Sequence, residues 1–196
     1  MPAASTPTSA PVRERILVAT LEVIAAEGLD AVRHRRVADL AGVSLGSTTY
    51  HFASREELIE EAFAHYLDEA TQVLEGLAPP TAGVARPVEA LVAYLDGLLD
   101  REFRTPGFVQ AEYELILYAA RNPALAERLA AWEGAQAAQL EAFLRSTGAA
   151  RPKESSQAIV ALIRGLELER LIHPERRAHR ASRIRPLLAA CYPEPT

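Results

Sequence analysis

The chain carries one cysteine, Cys191, in 196 residues, so it cannot close an intrachain disulfide, and it has no C-x-x-C pair for structural zinc or redox chemistry. A reducing compartment suits it. Long apolar runs are missing too: aliphatic stretches such as 158–163 fall far short of the ~20 residues a bilayer span needs, and no membrane partner is expected. Met1 to Pro11 is small, polar and Pro-rich, with neither a cationic start nor an apolar stretch. It reads as a frayed tail and not as a secretory signal, which leaves the cytoplasm as the expected location. Positive charge is scarce: 21 Lys and Arg stand against 26 Asp and Glu, giving a net charge of −5. That balance argues against a protein that coats nucleic acid through bulk charge, but not against a local basic face.

Apolar positions recur at helical spacing almost throughout, and no sustained period-2 alternation flanked by hairpin turns occurs, so the chain is expected to be all-α with about nine helices. Ile16, Leu17, Leu21 and Ile24 form one stripe, with Thr20 its single polar member, and it stops at Gly28. A short second helix carries Val37, Leu40 and Ala41 and stops at Gly42. Ser44 caps a third short element through Tyr50, and Ser54 caps a long fourth helix with Glu56 and Glu57 in its positive first turn. That helix presents Leu58, Ala62, Tyr66 and either Glu69 or Ala70 along one side. Between Gly76 and Pro87 lies the strongest loop signal in the chain. Beyond it, Pro87 opens a fifth helix running to about Phe103, Thr105-Pro106 a sixth, Asn122-Pro123 a seventh ending before Gly148, and Pro152 an eighth reaching His173. A ninth covers roughly Ser182 to Cys191, with Pro186 as a first-turn or kink position.

Residues 36–50 show two short helices joined at Ala41-Gly42-Val43-Ser44, the layout of a helix-turn-helix. The second helix, Leu45 to His51, reads Leu-Gly-Ser-Thr-Thr-Tyr-His. Hydroxyls, an imidazole and a phenol suit hydrogen bonding to phosphates and base edges, and Gly46 clears space for close approach of DNA. Standing alone, such a segment is equally a polar surface turn. Charge separates the chain into two parts: residues 1–52 carry five Arg and five acids, so the whole −5 falls on 53–196. Arg33-His34-Arg35-Arg36 gathers cations at the entry to the motif, to meet a phosphate backbone or to remain a solvated basic turn.

The chain has Ala25-Ala26-Glu27-Gly28-Leu29, Val37-Ala38-Asp39-Leu40-Ala41-Gly42-Val43-Ser44, Gly46, Tyr50-His51-Phe52 and Ser54-Arg55-Glu56-Glu57-Leu58. Over about residues 12–62 these motifs resemble the DNA-binding domain of the tetracycline-repressor (TetR/AcrR) family. That resemblance implies a disordered tail (1–11), a helix-turn-helix domain (12–54) and a larger helical domain for ligand binding and dimerisation (55–196). It implies DNA contacts from Arg35, Arg36, Ser44, Leu45, Gly46, Ser47, Thr48, Thr49, Tyr50, His51 and Arg55, with Phe52 in the small core. The family's usual aromatic at position 49 is Thr49 here, with Tyr50 one place later. The phosphate contact of that aromatic falls to Thr49, to Tyr50, or to neither. The family's usual lysine is Arg55, whose planar fork can hold a phosphate at two points.

The resemblance further implies a pocket between helices four to eight. Aromatics and isolated polar groups on otherwise apolar faces suit a small effector: Tyr66, Tyr94, Phe103, Phe108, Gln110, Tyr113, Glu114, Tyr118, Trp132 and Gln136. Taken singly, each aromatic is equally a core residue. Glu167, Glu169 and Arg170 either lend charge to the pocket or pair across a dimer. For a homodimer, the resemblance implies a bundle of the last two helices, offering Ala158, Ile159, Leu162, Leu166 and Ile172 with Ile184, Leu187 and Leu188, and small Ala161 and Gly165 for close approach. A dimer also follows from mechanism, because two reading heads about 34 Å apart meet consecutive major grooves.

Two other functions fit an all-α chain less well than a DNA-binding regulator does. A di-iron enzyme would use Glu-x-x-His pairs, and none of the five histidines has Glu three residues before it; G-x-S-x-G and phosphate-loop motifs are also missing. A helical protein adaptor would have no use for the hydroxyl-rich third helix. The expectation is a dimeric, ligand-responsive repressor on a palindromic double-stranded operator, released by a small, largely apolar effector, with no cofactor, no metal and no enzymatic activity.

Overall fold

Helix boundaries follow a few residues with special backbone chemistry. A computed structural model describes residues 10–75, 84–104, 107–175 and 180–192, and among them the chain forms nine α-helices and no strand. These are α1 (Val12–Glu27), α2 (His34–Ala41), α3 (Leu45–His51), α4 (Arg55–Glu75), α5 (Pro87–Glu102), α6 (Phe108–Ala119), α7 (Pro123–Ser146), α8 (Pro152–Ile172) and α9 (Arg180–Ala189). Proline stands first in α5, α7 and α8, where its missing N–H would have no intrahelical partner anyway. At α4, Ser54 Oγ accepts from Glu57 N at 3.0 Å while the Glu57 carboxylate reaches back to Ala53 N at 2.6 Å, a reciprocal cap. Leu58, Ala62, Tyr66 and Ala70 are buried and Glu69 is exposed, so Ala70 completes the inner stripe of α4.

The sequence did not announce the 3-10 turn at Leu29–Ala31 between α1 and α2. α9 starts two residues earlier than expected and keeps Pro186 inside it. The expected opening of α6 at Thr105-Pro106, the loop residues 76–83 and tail residues 1–9 lie outside the described residues. No helix among the described residues is long and apolar enough to cross a membrane.

The described residues gather into two compact units, one built from chain segments 1–70 and 106–126, the other from 71–105 and 127–196. In the first, α1 packs on α2, α3 and α6. Ile16, Val23, Ile24, Val37, Phe52, Leu58, Phe63 and Leu115 are each at most 1% exposed. Burial of such side chains is worth roughly 1.5–3 kcal/mol apiece, an upper bound because unfolded chains already bury some of that surface. Thr20, fully buried among them, gives its hydroxyl to Ile16 O at 2.8 Å. Gly107, at φ 80°, lodges the start of α6 against the end of α1: an added Cβ would lie 2.9 Å from Ala25 Cβ and 3.0 Å from Ala25 O.

In the second unit α5 contacts α8 and α9. Leu91, Leu95 and Leu99, spaced by four, are fully buried in one apolar cluster with Phe143, Leu144, Ile159, Ile184 and Leu188. Past α9 the chain is tied to the end of α7, with Ala150 N donating to Cys191 O at 2.9 Å and the Thr147 and Tyr192 hydroxyls 2.9 Å apart. Burial, ahead of the other influences, raises the Tyr192 phenol above its ordinary pKa.

Candidate nucleic-acid interface

α2 is anchored by Val37 and Ala38, both buried, and closes at Gly42 in the left-handed region, φ 64° and ψ 39°. Val43 N then bonds back to Ala38 O at 3.0 Å, which turns the chain sharply toward α3. The carbonyls at the end of α2 find a donor that no sequence pattern announces: Arg15 Nη2, from α1, donates to Ala41 O at 2.6 Å and to Gly42 O, just past the helix, at 3.0 Å. Ser44 caps α3, its Oγ accepting from Ser47 N at 3.0 Å and lying 2.8 Å from Ser47 Oγ. Thr49 is exposed, and its hydroxyl lies 3.2 Å from both Leu45 O and Gly46 O.

Along α3 the exposed side chains are Leu45 (42%), Thr49 and Tyr50 (85%), with half-buried His51 held edge-on to Tyr50 at 5.2 Å between ring centroids. Phe52 is 1% exposed, in the core position the motif requires. Thr48 calls for a correction. It is fully buried and donates to Leu45 O at 2.8 Å, so its side chain fastens α3 to the core and is unavailable to DNA.

The arginines divide as well. Arg35 is exposed, whereas Arg36 bonds to Glu27 Oε1 through both Nε, at 2.9 Å, and Nη2. That bond holds the Glu27 carboxyl below its ordinary pKa and raises that of Arg36. Arg55 has structural partners: Nε donates to Val32 O at 3.1 Å and Nη2 to Leu29 O at 2.8 Å, joining the 3-10 turn to the start of α4. The planar fork read as a phosphate clamp is occupied by main-chain oxygens.

The ten residues expected around an effector divide between the two units. In the first, Tyr66 is buried with its ring 5.2 Å from that of Phe108, Tyr113 is half-buried, and Gln110 is exposed. Glu114 is corrected from effector-facing to structural: its carboxylate accepts from Leu29 N, tying α6 to the 3-10 turn. Tyr118 is held above its ordinary pKa by burial first and then by Glu60 and Glu56.

In the second unit, Tyr94 is half-buried, its phenol pushed up by burial and by the charge of Glu102. The Arg170 guanidinium lies 4.1 Å from the centre of the Phe103 ring, and that of Arg164 lies 5.6 Å from the centre of the Trp132 ring. Trp132 and Gln136 stand one turn apart on α7, and their buried Nε1 and Nε2 have no hydrogen-bond partner among the described residues. The charged trio on α8 bonds within its own protomer: Glu167 with Arg164 at 3.2 Å, Glu169 with Arg183 at 2.7 Å, and Arg170 with Leu99 O at 3.0 Å and Asp100 at 3.3 Å.

The eight residues offered for a dimer separate by exposure. Ile159, Leu166, Ile184 and Leu188 are at 3, 7, 1 and 1% within a single chain, which corrects their assignment: they hold α8 and α9 to their own protomer. Leu162 packs half-buried on the same cluster. Ala158, Ile172 (69%) and Leu187 (57%) are exposed, and on α8 Ala161, Gly165 and Leu168 (43%) are exposed with them. The run 158, 161, 165, 168, 172 alternates steps of three and four, one straight seam on the helix surface. That spacing, followed past the small residues, is the signal that would have found Leu168.

Residues 16–62 match the family described as "Bacterial regulatory proteins, tetR family", and residues 86–194 match "Tetracyclin repressor-like, C-terminal domain". The HTH-type transcriptional repressor KstR2 of Mycolicibacterium smegmatis is 38% identical over 56 residues, 29% of this chain and 27% of that protein. The HTH-type transcriptional regulator BetI 1 of Chromohalobacter salexigens is 38% identical over 93 residues, 46% of this chain and 45% of that protein. The matches thus span about a quarter to a half of the curated relatives. Among solved structures, a TetR-family member from Streptomyces coelicolor A3 is similar at 30% identity and a TM-score of 0.73, covering 94% of this chain and 99% of the other. The multidrug binding protein EbrR, complexed with malachite green, is similar at 30% identity and a TM-score of 0.70, covering 92% and 98%. With a helix-turn-helix of this geometry and family matches to both parts of the chain, the protein belongs to the TetR family of bacterial DNA-binding transcriptional regulators and is not an enzyme.

Proposed function

We propose that the chain is a dimeric, cytoplasmic repressor that binds a palindromic operator through α2 and α3 and is released by a small, largely apolar effector. The observation that carries the DNA half of this reading is the exposure of Leu45, Thr49 and Tyr50 on a short helix capped and turned for groove entry. Tyr50, 85% exposed, takes the phosphate contact ahead of Thr49, whose hydroxyl is turned onto its own helix. Exposed Arg35 adds charge on α2. The functional division follows the same line, with residues 12–54 reading DNA and 55–196 binding effector and partner.

For the dimer, the support is the exposed seam of Ala158, Ala161, Gly165, Leu168 and Ile172, an apolar stripe whose small members let a second helix approach closely. For the effector, it is Tyr94, Phe103 and Trp132 together with the unpartnered indole and amide nitrogens of Trp132 and Gln136. An apolar molecule carrying one hydrogen-bond acceptor answers both. Solved complexes of the similar protein EbrR hold malachite green, proflavin and ethidium; malachite green, an aromatic cation without a strong acceptor, is the first probe of the aromatic groups alone.

Release operates by population shift: the effector favours a dimer whose heads are wrongly spaced. A hundredfold loss of operator affinity needs an effector preference of about 2.8 kcal/mol between the two states. Within the first unit, α6 is tied to the reading head through Glu114 on Leu29 N, as α4 is through Arg55 on Leu29 O and Val32 O.

The test is a titration of the full chain against the DNA upstream of its own gene, with mass measured by light scattering. A salt-dependent, sequence-selective complex and a dimer mass are expected. Ile172→Glu should give a monomer that no longer prefers two half-sites over one, and malachite green should quench Trp132 and release the complex. A monomeric wild type, or indifference to DNA sequence, refutes the reading.

A further inference from the structure

The helix that would enter the groove lacks the side chains that read bases by paired hydrogen bonds. Between Leu45 and His51 there is no Arg, Lys, Asn, Gln, Asp or Glu, the residues that make the common bidentate contacts to guanine, adenine or cytosine. The hydroxyls at its start are engaged at home. Ser44 and Ser47 lie against each other with Ser44 capping the helix, Thr48 is buried on Leu45 O, and Thr49 leans on Leu45 O and Gly46 O. With the hydroxyl of exposed Thr49 engaged on the backbone, its γ-methyl is the group left to meet a partner.

What is left on the outer face of the first turns is hydrocarbon: the Leu45 isobutyl group, 42% exposed, and the Thr49 methyl one turn later. Between them Gly46 has no side chain, and the fold does not demand its absence. An added Cβ would meet only Ser44 Oγ, at an ordinary 3.6 Å. The protein's own packing therefore gives no reason for glycine at 46, whereas a duplex wall against that turn does. In a major groove the apolar group is the C5-methyl of thymine, which apolar and threonine methyl side chains are suited to contact.

We infer that α3 reads its operator chiefly through thymine methyl groups, packed against Leu45 and the Thr49 methyl, with Gly46 bringing the helix backbone down to the base edges. This rests on the DNA-binding reading of α2 and α3 and adds the chemistry of the readout. Recognition of this kind prefers T·A pairs at the positions under Leu45 and draws its selectivity from shape and apolar burial. Tyr50 and Arg35 then set position on the phosphates and add little sequence discrimination.

The experiment selects a duplex from a random pool with the full chain at fixed salt. It then compares the affinity of that duplex with copies in which deoxyuridine replaces thymidine, singly and throughout. The exchange removes the methyl and keeps every hydrogen-bonding group. Burial of one methyl corresponds to about fourfold in affinity, so a critical thymidine in each of two half-sites should give roughly tenfold or more. Leu45→Ala, at an exposed position that the fold tolerates, should bind the thymidine duplex more weakly and narrow the difference between the two duplexes, and Leu45→Ala with Thr49→Ser should abolish it, while Leu45→Met keeps it. A selected duplex bound equally well with deoxyuridine throughout overturns this inference and leaves DNA binding standing. A pool that yields no preferred duplex overturns the DNA-binding reading and the inference together.

Discussion

In the unit that holds the reading head, two arginines reach for main-chain oxygens, Arg15 for Ala41 and Gly42 and Arg55 for Leu29 and Val32, while Arg13 and Arg36 pair with the carboxylates of Glu61 and Glu27. In the other unit Arg145, Arg164, Arg183 and Arg185 bond to carboxylates, and Arg170 divides itself between Leu99 O and Asp100. Element length explains the difference. α2 and α3 have 8 and 7 residues, so most of their peptide groups lie in terminal turns that lack intrahelical partners. α7 and α8, with 24 and 21 residues, satisfy nearly all of theirs internally. A head made of short pieces needs side chains to complete its backbone hydrogen bonding. A body made of long helices leaves its charged side chains to one another, where partners can be exchanged without unravelling a turn.

The strongest way to break this comparison is to hollow out each core. Phe52→Ala in the head and Phe143→Ala in the body should each cost about 3–5 kcal/mol, since both rings are buried to 1% or less. Followed by DNA binding and by Trp132 fluorescence, Phe52→Ala should lose the first and spare the second, with the reverse order of sensitivity in Phe143→Ala. A single coincident transition in both variants would show that the two units do not behave separately. A smaller contrast comes from the arginines. Arg55→Ala leaves two carbonyls without their charged donor and should lower stability by about 2–3 kcal/mol in urea melts. Arg185→Ala breaks an exposed pair with Glu89 and should lower it by about 0.2–1 kcal/mol. Equal effects would erase the distinction between backbone-directed and carboxylate-directed arginines.

The smallest effect is expected at Glu27, whose folded pKa is lowered by Arg36. A lowered carboxylate pKa gives stability present above the ordinary value of 4.5 and lost as pH falls through the folded value. The difference in urea midpoint between wild type and Glu27→Gln should therefore be present at pH 7 and fade below pH 4.5. A difference that grows on acidification would contradict that assignment.

Much of the fold was legible because its boundaries are chemical. Ser44 and Ser54 cap, Pro87, Pro123 and Pro152 open helices, and Gly28, Gly42 and Gly148 sit at φ 85°, 64° and 83° after helices end. What stayed hidden depends on contacts between segments distant in sequence. The sequence pattern reads Arg55 as a phosphate contact and Glu114 as effector-facing, yet both address the same 3-10 turn, Arg55 at Leu29 O and Glu114 at Leu29 N. Thr48 and Thr49 are adjacent and chemically identical, and only the packing of α3 decides that one is buried and the other exposed. On α8, helical spacing marks apolar residues without saying which side faces home. Ile159 and Leu166 went inward while Leu168 and Ile172 stayed out.

Gly107 carries a consequence for heredity. Every other residue there would have to place a Cβ against Ala25 while holding a φ near 80° that side chains resist. Any missense codon at this position should therefore act as a wedge between α1 and α6. In a screen for cells that have lost control of the regulated genes, alleles at 107 should recur among the damaging ones, although the residue itself lies outside both α2 and α3. A single-letter change in the gene would there be felt as a change in geometry.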